Sequence, residues 1–113
     1  MATLKLKIGD DETVRFTITD ADGSVVDLTG GTIKLKIADN IDVTDASADY
    51  VGTYTSFTDA ANGIHDETIP DSETGTWSAG KKKYQVRFIN SGGIVVSEDV
   101  DNVIIEKNLL DNV

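Results

Sequence analysis

The sequence predicts an all-β fold, an antiparallel sandwich of two sheets. Three observations carry this expectation. Apolar and polar residues alternate in run after run: Leu4, Leu6 and Ile8 around Lys5 and Lys7, then Val14, Phe16 and Ile18 around Arg15 and Thr17. The same pattern returns in Ile33, Leu35 and Ile37 around Lys34 and Lys36, and in Tyr84, Val86 and Phe88 around Gln85 and Arg87. Successive side chains of an extended chain point to opposite faces, so each run has one dry and one wet side. Turn signals recur roughly every 8 to 15 residues, the spacing of a sandwich or barrel. No stretch carries the 3.6-residue period of a long amphipathic helix.

The elements follow in order. A first strand, about Thr3 to Ile8, ends at Gly9-Asp10-Asp11, and a second, Thr13 to Thr19, ends at Asp20-Ala21-Asp22-Gly23. Asp bonds nearby backbone and Gly accepts positive φ, which makes both pairs turn formers. Ser24 to Leu28 reads as a short extended piece, and Thr29-Gly30-Gly31 leads into a third strand, Thr32 to Ala38. Asp39 to Asp49 keeps neither period and reads as a long exposed loop with room for one helical turn. Tyr50 to Phe57 reads as a strand, Asp59 to Gly63 as a turn, and Ile64 to Ile69 as a strand stopped by Pro70, which lacks a ladder donor. Asp71 to Lys82 is turn-rich. Lys83 to Ile89 and Ile94 to Val100 flank a hairpin at Asn90-Ser91-Gly92-Gly93, and Val103 to Lys107 is the last strand, with Val103 and Ile105 on one face. The expected organisation is one sandwich over residues 1–107 and a short tail over 108–113.

The chain has 113 residues, enough to bury roughly 65% of its unfolded surface in one core. It has no cysteine, which removes disulfides and thiolate metal sites. No apolar segment approaches the roughly 18 to 20 residues of a membrane span, and Met1 to Lys7 has no apolar leader core. The expectation is synthesis in a cytoplasm and no membrane partner. Twenty Asp and Glu oppose ten Lys and Arg, a formal charge of −10. A surface of that sign repels polyanions, which argues against nucleic acid as a partner.

No constellation specifies chemistry. Asp20, Asp22, Gly23 and Asp27 suggest calcium, but Gly31 stands where a calcium loop counted from Asp20 needs its closing glutamate. An acidic β-turn accounts for them. His65 is the only histidine, and its neighbour Asp66 lies on the opposite strand face, so it is expected at a solvent-facing or edge position. A chain this short leaves the carboxylates near Pro70 little room for a deep cleft, and no phosphate-binding Gly-Lys-Ser or Gly-Lys-Thr occurs. The expectation is a non-enzyme with no cofactor and no metal. Trp77 reads as core or core rim, with a ligand surface as the alternative. Tyr50, Tyr54 and Phe57, mixed with Ser and Thr beside an acidic loop, have the composition of an interface. Leu109 and Leu110, two leucines on a short acidic tail, are the first candidate docking element. Lys81-Lys82-Lys83 reads as a solubilising edge, with docking to an acidic neighbour as the alternative.

The order of motifs resembles a known family. Val14-Arg15-Phe16-Thr17-Ile18-Thr19-Asp20-Ala21-Asp22-Gly23 is followed by Val26-Asp27-Leu28-Thr29-Gly30-Gly31-Thr32-Ile33, then Gly63-Ile64, Ile69-Pro70, Tyr84-Gln85-Val86-Arg87-Phe88 and Gly92-Gly93. From about Asp10 to Lys107 this succession resembles the immunoglobulin-like N-terminal domain of siphophage baseplate upper proteins and related domains of tailed-phage virion proteins. The resemblance implies an immunoglobulin-like sandwich of about seven strands. It also implies a structural or accessory role in the virion, in tail, baseplate or head decoration, with other virion proteins as partners and homo-oligomers left open. It implies no catalytic residues. A carbohydrate- or receptor-binding module using Trp77 or the Tyr50 to Phe57 surface is the alternative. Within the Asp-Leu-Thr-Gly element, Leu28 is expected to plug one end of the sandwich while Asp27 and Thr29 bond local backbone.

Overall fold

A computed structural model describes residues 4–40, 42–97 and 101–107. Among these residues eight strands form: β1 (Leu4–Lys7), β2 (Glu12–Thr17), β3 (Thr32–Ala38), β4 (Tyr50–Tyr54), β5 (Ile64–Ile69), β6 (Gly80–Ile89), β7 (Val95–Ser97) and β8 (Asp101–Glu106). Single 3-10 turns at Asp45–Ser47 and Ala60–Asn62 and one helical turn, α1 (Asp71–Thr74), interrupt them. The larger sheet runs β1-β8-β6-β3-β4, with β7 also against β6, and the smaller sheet is the antiparallel pair β2-β5. The sandwich expected from the alternation is therefore present.

Four details differ from the sequence reading. β1 lies parallel to β8, pairing Leu4 with Val103 and Leu6 with Ile105, so the larger sheet is mixed. Strand direction depends on which distant segments meet, and alternation carries no such information. β6 begins at Gly80, three residues before the expected start, because Lys81 and Lys82 pair with Ile104 and Val103. Ser24 to Leu28 forms no strand; only an isolated Thr19–Val25 bridge survives there. His65 does lie on an edge strand, β5, but it is buried, at 5% exposure, and not solvent-facing. The beginning of the first expected strand and the end of the Ile94 to Val100 run lie outside the described residues, as do Leu109 and Leu110.

The core sits between the sheets. β2 contributes Val14 and Phe16, β3 contributes Ile33, Leu35 and Ile37, β6 contributes Tyr84, Val86 and Phe88, and β8 contributes Val103 and Ile105. Each such side chain stabilises the fold by about 1.5–3 kcal/mol relative to exposure. The β3–β6 register puts Ile33 opposite Phe88, Leu35 opposite Val86 and Ile37 opposite Tyr84 on the inner face.

The ends are tied by specific bonds. Leu28 is fully buried. Asp27 accepts from the Thr29 N–H at 3.0 Å and the Thr29 hydroxyl at 2.7 Å, and the Gly31 N–H reaches the Leu28 carbonyl at 2.9 Å. Gly31 lies directly under Phe88: a Cβ there would stand 2.4 Å from the ring and 2.7 Å from the Ile89 carbonyl oxygen. At the opposite end the Thr74 hydroxyl donates to the Asp10 carbonyl at 2.7 Å and accepts the Gly9 N–H at 3.1 Å. These bonds fasten α1 to the β1–β2 turn.

Lys82 breaks the alternation. It occupies an inward-facing position of β6 yet is a lysine, 5% exposed. Its ammonium donates to Asp39 at 2.7 Å and to Asp49 at 3.1 Å, so it clamps both ends of the β3–β4 loop. Desolvation pulls the lysine pKa down, but the hydrogen bonds and charges of the two carboxylates outweigh it and hold it above the ordinary value.

Two measurements check these ties. Gly31→Ala should cost about 3 kcal/mol, because neither a packed ring nor a backbone carbonyl can yield freely, and equal urea midpoints for it and the wild type would refute the packing argument. Gly23→Ala, with φ of 82° but open space around it, should cost only about 1 kcal/mol. Lys82→Met should cost about 1–2 kcal/mol at pH 7, since a half-buried Asp49 loses its partner. The raised lysine pKa stabilises the fold fully below the unfolded value near 10.4, and this is lost as pH rises through the folded value. The gap between wild type and Lys82→Met in thermal midpoint should therefore narrow above about pH 10.5.

Candidate functional site

The aromatic residues singled out in the sequence gather along the seam between the two sheets. Tyr50 and Tyr54 share the inward parity of β4 with Gly52. Their hydroxyls meet at 2.9 Å, directly over Gly52, where a Cβ would stand 2.1 Å from the Tyr54 hydroxyl and 2.8 Å from that of Tyr50. The Tyr-x-Gly-x-Tyr spacing is thus a packing device: glycine vacates the space into which both rings lean. Burial raises the pKa of both phenols. Tyr54 packs on Phe16 at 5.7 Å and His65 at 5.6 Å, and Phe57 meets His65 edge-on at 5.6 Å. Tyr50 meets Trp77 edge-on at 5.9 Å.

His65 completes this band. Its Nδ1 accepts the Thr58 N–H at 3.3 Å, which places the ring proton on Nε2, facing Glu67 Oε1 at 2.8 Å. The ring lies nearly parallel to Phe16. Sequence reasoning missed the partnership of His65 with Glu67, two residues on along its own face, while, as the alternation implied, the neighbour Asp66 turns to the opposite face and pairs with Arg15 through two bonds, at 2.8 and 3.0 Å. That exposed pair lowers the Asp66 pKa, chiefly through the hydrogen bond from Arg15.

Trp77 is buried, and its Nε1–H has no hydrogen-bond partner among the described residues. Tyr50, Tyr54 and Phe57 are half-buried and pack against the core. The band is a seal whose outer rims alone reach solvent. The acidic turn at Asp20 is closed upon itself, its Oδ1 accepting the N–H groups of Asp22 at 2.9 Å and Ser24 at 3.0 Å. Among the described residues no three metal-ligating side chains converge. Among the described residues no helix is long and apolar enough to cross a membrane.

Against this geometry, solved structures supply a likeness. The first is the N-terminal domain of phage TP901-1 ORF48, with a TM-score of 0.62 and 19% identity, over 94% of this chain and 86% of that one. The two share one fold. No family model and no curated protein matches the chain. The likeness spans nearly the whole chain and accords with the all-β sandwich expected from the alternation.

The larger sheet's outer face was not legible as a site from the sequence. β1 presents Lys5 and Lys7 there, β3 presents Lys34 and Lys36, and β6 presents Lys81, Lys83 and Arg87. The signal was a repeated Lys-x-Lys, which reads as ordinary solvated alternation until the strands are set side by side.

Trp77 gives the seam its test. Trp77→Ala should cost about 3–5 kcal/mol, whereas Trp77→Phe keeps an aromatic against Tyr50 and removes an unpaired N–H, and should cost less than about 1.5 kcal/mol. Equal losses in denaturant titrations would contradict the placement of the indole.

Proposed function

We propose that the chain is a non-enzymatic structural component of a tailed-phage particle that docks onto other particle proteins. The observation that carries this reading is the shared fold with a phage domain across nearly the whole chain, joined to the motif order that resembles baseplate upper proteins. Fold alone does not assign function, so the surface must supply the rest. β1 and β4 are the outer strands of the larger sheet, and such strands offer backbone groups to a partner. Leu109 and Leu110 are a second docking element in this proposal, and the rims of Tyr50, Tyr54 and Phe57 a third. A sugar-stacking role draws no support from Trp77, whose indole is covered.

Mass spectrometry and immunogold labelling of purified particles test the proposal. The chain should copurify with particles at fixed stoichiometry, and deletion of residues 108–113 should lower its incorporation several-fold while the domain stays folded. Absence from purified particles and from their tail fractions would overturn the reading.

A further inference from the structure

We propose that the outer edge of β2 receives an extended segment of a partner protein, with basic residues at both ends of that segment, as a third strand of the smaller sheet. The proposal takes from the particle reading only that the partner is a protein.

Backbone geometry is the first observation. β2 pairs with β5 alone, Phe16 opposite His65 and Val14 opposite Glu67. The Ile18 N–H reaches the Gly63 carbonyl at 2.9 Å in the same register. Ile18 and, with a period of two, Phe16, Val14 and Glu12 therefore turn their N–H and C=O groups toward β5. Thr13, Arg15 and Thr17 turn theirs to the other edge. Among the described residues no hydrogen bond reaches those groups. A row of open backbone groups is a template for another strand.

The second observation is that the same sheet closes its opposite edge. On β5, Ile64 exchanges two bonds with Asp59, at 2.9 and 3.0 Å, and the Asp66 N–H donates to the Thr58 hydroxyl at 3.0 Å. The side chains of β2 do not blunt its edge either. The strand has no proline and no lysine, and its one cation, Arg15, is tied to Asp66 by two bonds. Val14 and Phe16 are buried beneath, so the edge offers backbone groups rather than an apolar groove.

Charge selects the occupant. Asp11 and Glu12 stand where β2 begins, and Asp20 and Asp22 just past its end. Asp11 accepts the Asp71 N–H, and Asp20 accepts those of Asp22 and Ser24. Those donors are neutral, so the carboxylates keep their charge. Among the described residues none of the four sits in an ion pair. A second copy laid along this edge in either direction would bring acidic ends together, which like charge opposes. A segment with Lys or Arg on both sides of about five extended residues meets them in either direction.

NMR titration and amide exchange of the labelled full chain with the peptide Lys-Lys-Thr-Val-Thr-Val-Thr-Lys-Lys test this. One comparison peptide is N-methylated at all five central residues, and another carries Glu in place of every Lys. In the free chain the amides of Thr13, Arg15 and Thr17 should exchange faster than those of Val14 and Phe16. The first peptide should shift and protect the three fast amides. The N-methylated peptide should not, and the glutamate peptide should bind about tenfold more weakly or worse. Thr17→Pro removes an outward N–H and no bond to β5, and should weaken binding about tenfold with the fold retained. Should that variant unfold, the N-methylated peptide decides alone. No protection at β2, or equal binding of either comparison peptide, would overturn the proposal. So would protection that grows with protein concentration alone, because the occupant would then be a second copy. A chain found in particles whose β2 ignores the lysine peptide refutes this proposal alone. One that binds the peptide but never enters particles refutes the particle reading alone.

Discussion

The pairing of β3 with β6 is the constraint on which the rest of the structure depends. In this register Ile33, Leu35 and Ile37 meet Phe88, Val86 and Tyr84 on the inner face. A slip of β3 by one residue would turn its three outward and bring Lys34 and Lys36 toward the core, so the burial of these side chains enforces the register. The same constraint places Lys34 against Arg87 on the outside. The cationic face is thus fixed by the hydrophobic face behind it: a period of two leaves no freedom to change one without the other.

The remaining ties adapt this framework at its margins. β6 is long enough to carry β8 beside its first half and β7 beside its last three residues. Where it outruns the core, at Lys82, the inward position holds a cation that is neutralised by Asp39 and Asp49. Gly31 and Gly52 are required for a different reason, since Phe88 in one case and the two tyrosine hydroxyls in the other occupy the volume a side chain would need. Glycine here provides space and not turn flexibility.

The division of charge gives the molecule two sides of different character. One sheet face is cationic, while the turns that end the strands, including Asp10, Asp11, Asp39, Asp42, Asp71 and Glu73, are acidic. Complementary charge of this kind steers encounter and rejects wrong partners more than it adds affinity. The aromatic band serves stability, because its rings face one another and the core and leave little area for a ligand.

The sequence by itself determined the class of fold, most strand positions, the hairpin at Asn90 to Gly93 and the burial of Leu28, because each follows from side-chain alternation or from turn chemistry within a few residues. Tertiary structure alone decided the parallel pairing of β1 with β8, the early start of β6, the burial of His65 and the role of Lys82. It also decided that lysines some thirty to fifty residues apart in the chain share one face. The physical reason is common to all of these. Alternation states which residues share a face of one strand, but the free energy that selects neighbouring strands comes from long-range burial, and that is set only when distant segments meet.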